Sequence, residues 1–293
     1  MRFGFKTSPQ DTTWSDMLAV WQAADEIDLF ESGWTFDHFE PIFSDRTGPC
    51  LEGWITLAAL AQATRRLRLG VLVTGNPYRH PSVLANMAAT LDVVSNGRLE
   101  LGIGAGWNQE ESDALGIALP PLKERFDRFD EALEVITRLL SDEVSDFEGA
   151  HYQLRGARCE PKPVQRPHPP IVIGGSGPKR TLRAVARHAQ HWNMAGGSVD
   201  DYARSREVLA AHCADIGRNV DEIMTSTHLR LASSTVDAIP AVVEDASRWN
   251  DAGLDLGIVY LPPPPHPRRP CTARRSAAPA GGVIHGRAAR TRA

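Results

Sequence analysis

Apolar residues recur along this chain in two alternating rhythms. Short runs rich in Val, Ile, Leu, Phe and Trp give way to longer stretches in which apolar positions return every three or four residues, the rhythm of a helix with one buried face. Eight of the short runs read as strands: Arg2–Lys6, Gly33–Asp37, Arg68–Thr74, Leu99–Ile103, Pro170–Gly174, His191–Ala195, Ile223–Leu231 and Leu256–Leu261. Helical stretches such as Trp14–Leu29, Pro81–Val94 and Arg125–Leu140 lie between them. Strand and helix in alternation imply βαβ units and a parallel sheet. Eight such units predict an α/β protein of (β/α)8 TIM-barrel type, because right-handed crossovers put every helix outside and every strand-to-helix loop on one rim.

Two segments depart from the rhythm. The stretch from Asp146 to Leu154 alternates about a turn and predicts a β-hairpin before the fifth strand, placed beside the barrel mouth where it could cover substrate, with a Pro-rich connection from Pro161 to Pro170. After Leu261 the chain becomes Pro-, Arg- and Ala-rich, with seven arginines and no acidic or aromatic residue through Ala293. Such a segment cannot bury enough apolar surface to offset its ordering entropy, so residues 262–293 are expected to be a disordered tail to a barrel domain spanning 1–261. No eighth helix is legible, which suggests a frame-shifted or otherwise replaced C-terminus, with a natural basic extension as the alternative.

Composition narrows the classes. At 293 residues, 42% hydrophobic and 23% charged, the chain suits one large globular domain. The formal net charge is -4, and without the arginine-rich tail it is -11, so no basic field invites nucleic acid or an anionic membrane. The N-terminus reads as a strand and no long apolar run occurs, so a cytoplasmic protein is expected. Cys50, Cys159, Cys213 and Cys271 are far apart and form no CxxC pair, which predicts free thiols. No HExxH, GxSxG or carboxylate–His cluster at ligand spacing is present, so no metal site is expected.

Four motifs fall at predicted strand ends. Asp37 and His38 follow the second strand, where a His can exchange a proton and a carboxylate can orient it. Val73-Thr74-Gly75 ends the third, with a glycine that lets backbone approach a planar ring. Gly104-Ala105-Gly106-Trp107 continues the fourth; small residues there admit a flat ligand and Trp107 supplies a wall. Gly174-Gly175-Ser176-Gly177 precedes Pro178 at an expected helix start, exposing amides that attract phosphate, and Ala195-Gly196-Gly197 could complete that pocket. The GK[ST] of a P-loop is missing, which excludes nucleoside triphosphate hydrolysis.

In combination, Asp37-His38-Phe39, Arg79-His80-Pro81, Ser95-Asn96-Gly97-Arg98-Leu99, Gly102 through Trp107 with Glu110 and Glu111, and the Gly174–Gly177 turn resemble the bacterial luciferase-like monooxygenase superfamily, from Met1 to about Leu261. Within it the chain is most similar to the actinobacterial class that uses coenzyme F420. The resemblance implies a barrel enzyme, usually a homodimer, that acts on a small molecule and holds the cofactor ring at the strand C-termini. It further implies a non-prolyl cis peptide near Val73–Gly75, phosphate held by Gly174–Gly177, and Asp37 and His38 by the reactive face with His38 handling the proton. FMN in a two-component monooxygenase is the alternative cofactor, and a non-catalytic cofactor-binding protein is a third reading. Sugar-phosphate dehydrogenases of this family carry a Glu where this chain has Trp107.

Overall fold

The computed structural model describes residues 1–42 and 44–262. Nine strand segments form one parallel sheet: β1 (Arg2–Lys6), β2 (Phe30–Thr35), β3 (Arg68–Val71), β4 (Thr74–Gly75), β5 (Leu99–Gly104), then, after a separate hairpin of β6 (Ser145–Glu148) and β7 (Gln153–Ala157), β8 (Ile171–Gly174), β9 (His191–Met194), β10 (Met224–Arg230) and β11 (Leu256–Tyr260). Pairing of β3 with β5 closes the sheet into a barrel. Since β3 and β4 are two halves of one strand, broken at Leu72 and Val73, the closed barrel has the eight staves that the sequence predicts. The Leu72–Val73 peptide is cis, as the resemblance implies.

The helices lie outside: α1 (Trp14–Asp25), α2 (Gly53–Ala63), α3 (Pro81–Val94), a short α4 (Gln109–Leu115), α5 (Leu122–Ser141), α6 (Thr181–His188), α7 (Val199–Ala214) and α8 (Ile239–Asp251). Their starts are chemically marked. Thr13, Glu52, His80, Asn108 and Ser198 each accept a backbone N–H from the first turn they precede. The main apolar core fills the space between helices and sheet, with Phe5, Trp21, Leu69, Leu101, Ile173 and Trp192 pointing outward from or against the strands.

Period-two alternation sends the other residues into the barrel. A small apolar cluster of Trp34, Leu72, Val172, Leu256 and Ile258 fills part of the interior. Below the mouth lies a polar network: Glu100 takes the Arg68 guanidinium at 2.7 Å and bonds His191 Nδ1 at 2.9 Å, while His191 Nε2 lies 2.6 Å from the Ser226 hydroxyl, which also accepts from Asn193 at 2.8 Å. Burial would raise Glu100, but the bonds and charges of His191 and Arg68 outweigh it and bring the carboxyl down to about 2.

Several boundaries differ from the sequence reading. The second strand runs Phe30–Thr35, because Phe30 already pairs with Phe3, and it ends before Asp37. The first helix stops at Asp25, whose carboxylate caps the amides of Arg65, Arg66 and Leu67. Pro178 is not at a helix start: residues 178–180 form a turn and α6 begins at Thr181. No residue of the hairpin lines the cavity at the barrel mouth, but Tyr152 at its turn packs edge-on against His80 in the loop after β4, beside that mouth. The hairpin turn is pinned to α5 by Glu131, which accepts the amides of Ala150, His151 and Tyr152. The expected tail lies, apart from Pro262, outside the described residues, as does Cys271; Cys50, Cys159 and Cys213 are free thiols. Among the described residues no helix is long and apolar enough to cross a membrane.

Candidate active site

At the C-terminal ends of the strands lies a cavity of about 400 Å³, within the range of small-molecule sites. It brings together most of the residues singled out in the sequence: Asp37 and His38 after β2, Val73, Thr74 and Gly75 at the broken strand, Gly104 through Trp107 after β5, Gly174 and Gly175 after β8, and Ala195 after β9. Ser176, Gly196 and Gly197 line a neighbouring groove instead, and Gly177 lies in the same turn as Ser176. Thus the glycine turn and Asp37 share one rim.

His38 is buried, and its Nδ1–H donates to Glu111 Oε2 at 2.8 Å. Glu111, from α4, also accepts the Phe39 amide at 2.7 Å, the Glu40 amide at 3.3 Å and the Tyr78 hydroxyl at 2.5 Å. Burial alone would raise this carboxyl, yet the bonds from His38, Tyr78 and Phe39 hold it below its ordinary value. Burial and the same carboxylate push Tyr78 up, so it stays a phenol. With Nδ1 fixed, the tautomer and ring plane of His38 are fixed too, and Nε2 is left for a ligand. The ring edges of Trp107 and Phe36 flank it, each with a centroid 5.5 Å away.

Asp37 does not orient His38. Its two oxygens take a bidentate contact from Arg79 at 2.5 and 3.1 Å, and Arg79 also reaches Glu52 at 2.5 Å. Because the guanidinium occupies both oxygens, Asp37 anchors the turn after β4 rather than the imidazole. The sequence reading gave that task to the nearer carboxylate. Glu111, 73 residues away, carries it, and only the position of Glu110 and Glu111 in the spaced motif hinted at a role.

The glycines have two distinct uses. A Cβ at Gly104 would meet Val73 Cγ2 at 3.0 Å and one at Gly174 would meet Val73 Cγ1 at 3.2 Å, so these two make room for Val73 to enter the barrel. Gly175 has φ +109°, a conformation that other residues rarely adopt, and its amide donates to the Asn193 carbonyl. Among the described residues the amides of Ser176 and Gly177 have no hydrogen-bond partner, which leaves them available to an anion.

The sequence reading missed the opposite wall. Lys6, at the end of β1, lines the cavity with its Nζ 3.1 Å from the Leu72 carbonyl oxygen, and His228, Arg230 and Tyr260 stand beside it. Burial, and then the charge of Arg230, lower the Lys6 amine to about 7. Inward alternation along β1 and β10 is the signal that could have found these residues, since Lys6, His228 and Arg230 are polar at barrel-facing positions.

Residues 1–286 match the family model described as luciferase-like monooxygenase, a span that runs past Leu261, where the resemblance read in the sequence ends. The chain is 32% identical over 237 residues to an F420-dependent glucose-6-phosphate dehydrogenase of Microbacterium testaceum (strain StLB037), covering 79% of this chain and 68% of that protein. Among solved structures, it is similar to an F420-dependent secondary alcohol dehydrogenase in complex with an F420-acetone adduct, with a TM-score of 0.78, 19% identity and coverage of 90% and 94% of the two chains. It is also similar to monooxygenase RslO1 from Streptomyces bottropensis, with a TM-score of 0.68, 26% identity and coverage of 86% and 78%.

Proposed function

Since the chain belongs to the luciferase-like monooxygenase family, we propose that it is an oxidoreductase dependent on coenzyme F420, exchanging a hydride between the deazaflavin and a small organic substrate. The observation that carries this reading is the His38–Glu111 pair, held over the same cavity as the wall of Val73–Gly75, Gly104–Trp107, Gly174 and Gly175. The residues present suit the cofactor. Val73–Gly75 and Gly104–Trp107 would flank its ring, and the unpaired amides of the Ser176 turn would hold its phosphate. When bound, F420 supplies the two-electron hydride chemistry. His38 then takes or gives one proton at Nε2, with Glu111 stabilising the imidazolium form, while Phe36 and Trp107 keep water from the reacting face. Asp37, clamped by Arg79, keeps the ring-side turn in place. The proposal includes a cytoplasmic homodimer: Ile55 on α2 and Val83 on α3 are exposed on adjoining helices, and light scattering of the purified protein checks the mass.

Titration with F420 and with FMN, followed by quenching of tryptophan fluorescence, tests the cofactor. F420 is expected to bind; tight FMN binding without F420 binding would favour the monooxygenase reading that the 26% identity to RslO1 supports. Binding without turnover across a broad panel of substrates and acceptors would favour a non-catalytic protein. His38→Ala is expected to lower the hydride-transfer rate about 10²-fold or more while leaving F420 affinity within about threefold. Gly175→Val, forced into a positive φ, is expected to do the reverse.

A further inference from the structure

Lys6, Tyr260 and Arg230 are in register on three adjacent parallel strands, β1, β11 and β10, and all line the cavity. His228 stands one inward step below Arg230 on β10. Around the eight staves this arc lies across the axis from the glycine-lined wall of β4, β5 and β8. Its charges are uncompensated. Among the described residues neither Lys6 nor Arg230 forms an ion pair or a hydrogen bond with any carboxylate; the Lys6 amine has the Leu72 carbonyl and the faces of Phe36 and Tyr260, at 5.5 and 5.2 Å, and Arg230 lies over Tyr260 at 6.0 Å. His228 Nε2 is buried with no hydrogen-bond partner. An arginine without a carboxylate partner beside a buried lysine that burial and this arginine drive toward the neutral amine is an arrangement that an anionic ligand would relieve.

We propose that the Lys6–Arg230 pair, flanked by His228, is the substrate subsite for an oxyanion, so that the substrate carries a carboxylate or phosphate turned away from the glycine-lined wall. The proposal rests on the F420 reading for which wall the ring takes; the anion site itself does not need it. Arg230 supplies a planar fork and Lys6 a point charge, the usual pair of recognition elements for such a group. The groups that face Lys6 are Arg230 and His228 from β10, Tyr260 from β11, and Asp37 and His38 from the loop after β2, with Asp37 already held by Arg79. Burial, followed by the charges of Lys6 and Arg230, keeps His228 neutral, well below its ordinary value. Lys6 is therefore the group that changes protonation when an anion arrives: near neutral pH and above it is partly or wholly an amine, and the incoming charge draws a proton onto it.

Calorimetric titration with inorganic phosphate, and in parallel with acetate, tests this in buffers of different ionisation heat. It is run on the protein alone and on the protein saturated with F420. At least one anion is expected to bind both forms, with proton uptake at about pH 8 that vanishes at about pH 6, where Lys6 is already charged. Lys6→Met and Arg230→Met should each weaken that binding about tenfold or more, Lys6→Met should abolish the uptake, and F420 affinity of both variants should stay within about threefold of the parent. Binding of neither anion, binding insensitive to both substitutions, absence of proton uptake at the higher pH, or displacement of the anion by F420 would overturn the subsite. If F420 fails to bind the parent protein while phosphate or acetate binding depends on Lys6, the cofactor reading fails and the subsite stands.

Discussion

Glu111 accepts from four groups at once, so its loss and its neutralisation should differ from the loss of an ordinary surface acid. Glu111→Gln keeps the volume but replaces one acceptor oxygen with a donor, which cannot satisfy both the imidazole and the phenol. The expected outcome is a fall in kcat of about 10²-fold with F420 affinity and urea midpoint little changed, because the imidazole loses the carboxylate that orients it. An unchanged kcat with a lowered urea midpoint would show that Glu111 only supports the fold. Cys50 offers the contrasting case. Its thiol donates to the His38 carbonyl at 3.3 Å, and burial, with the charges of Glu111 and Asp11 next, pushes it up to about 12. It should therefore resist alkylating reagents at neutral pH in the folded protein, which a mass-spectrometric time course measures.

At the level of strands and helices, glycine positions separate close approach from turn geometry. A Cβ on Gly102 would sit 1.9 Å from the Val71 carbonyl oxygen across β3 and β5, a backbone contact that no side chain can relieve. Gly102→Ala is expected to lose about 3 kcal/mol or more, or to yield insoluble protein. Gly116, at φ +68° with open space around it, ends α4; Gly116→Ala should lose only about 1 kcal/mol by urea unfolding. The same elements show what was legible. Alternating rhythm located all eight staves, and Gly104, Gly174 and Gly175 were visible as special positions. Hidden were the partners set by long-range packing: that Val73 fills the space beside Gly104 and Gly174, that Arg79 takes Asp37, and that a short helix with no strong apolar face delivers Glu111. Local pattern encodes which way a residue faces; it does not encode which residue of another stave it meets. Lys6 could have been read from alternation alone, but a charged residue closing a strand looks like a surface residue until the barrel is closed.

For the whole molecule, two interior groups set opposite pH dependences. Glu100 has a folded pKa below its ordinary 4.5, so its contribution is complete above that value and is lost as pH falls toward about 2. Lys6 has a folded pKa of about 7 against 10.5, so the unfolded chain binds the extra proton between these values and stability from this group rises with pH through that window. Lys6→Met should thus raise the urea midpoint, most at or below about pH 6 and least near about pH 10, with a gain on the order of a few kcal/mol at most. A midpoint gain independent of pH would contradict the assignment. The knot at Glu111 has a further bearing on traffic. It fastens the loop after β2, the turn after β4 and the start of α4 to one another, and Arg46 adds a second tie by pairing with Glu40 at 2.5 Å and with Glu110. Three loops joined this way swing as one panel or not at all. On the side of β10 and β11, where among the described residues no such tie is made to these loops, the exposed Arg230 sets the charge at the rim of the cavity.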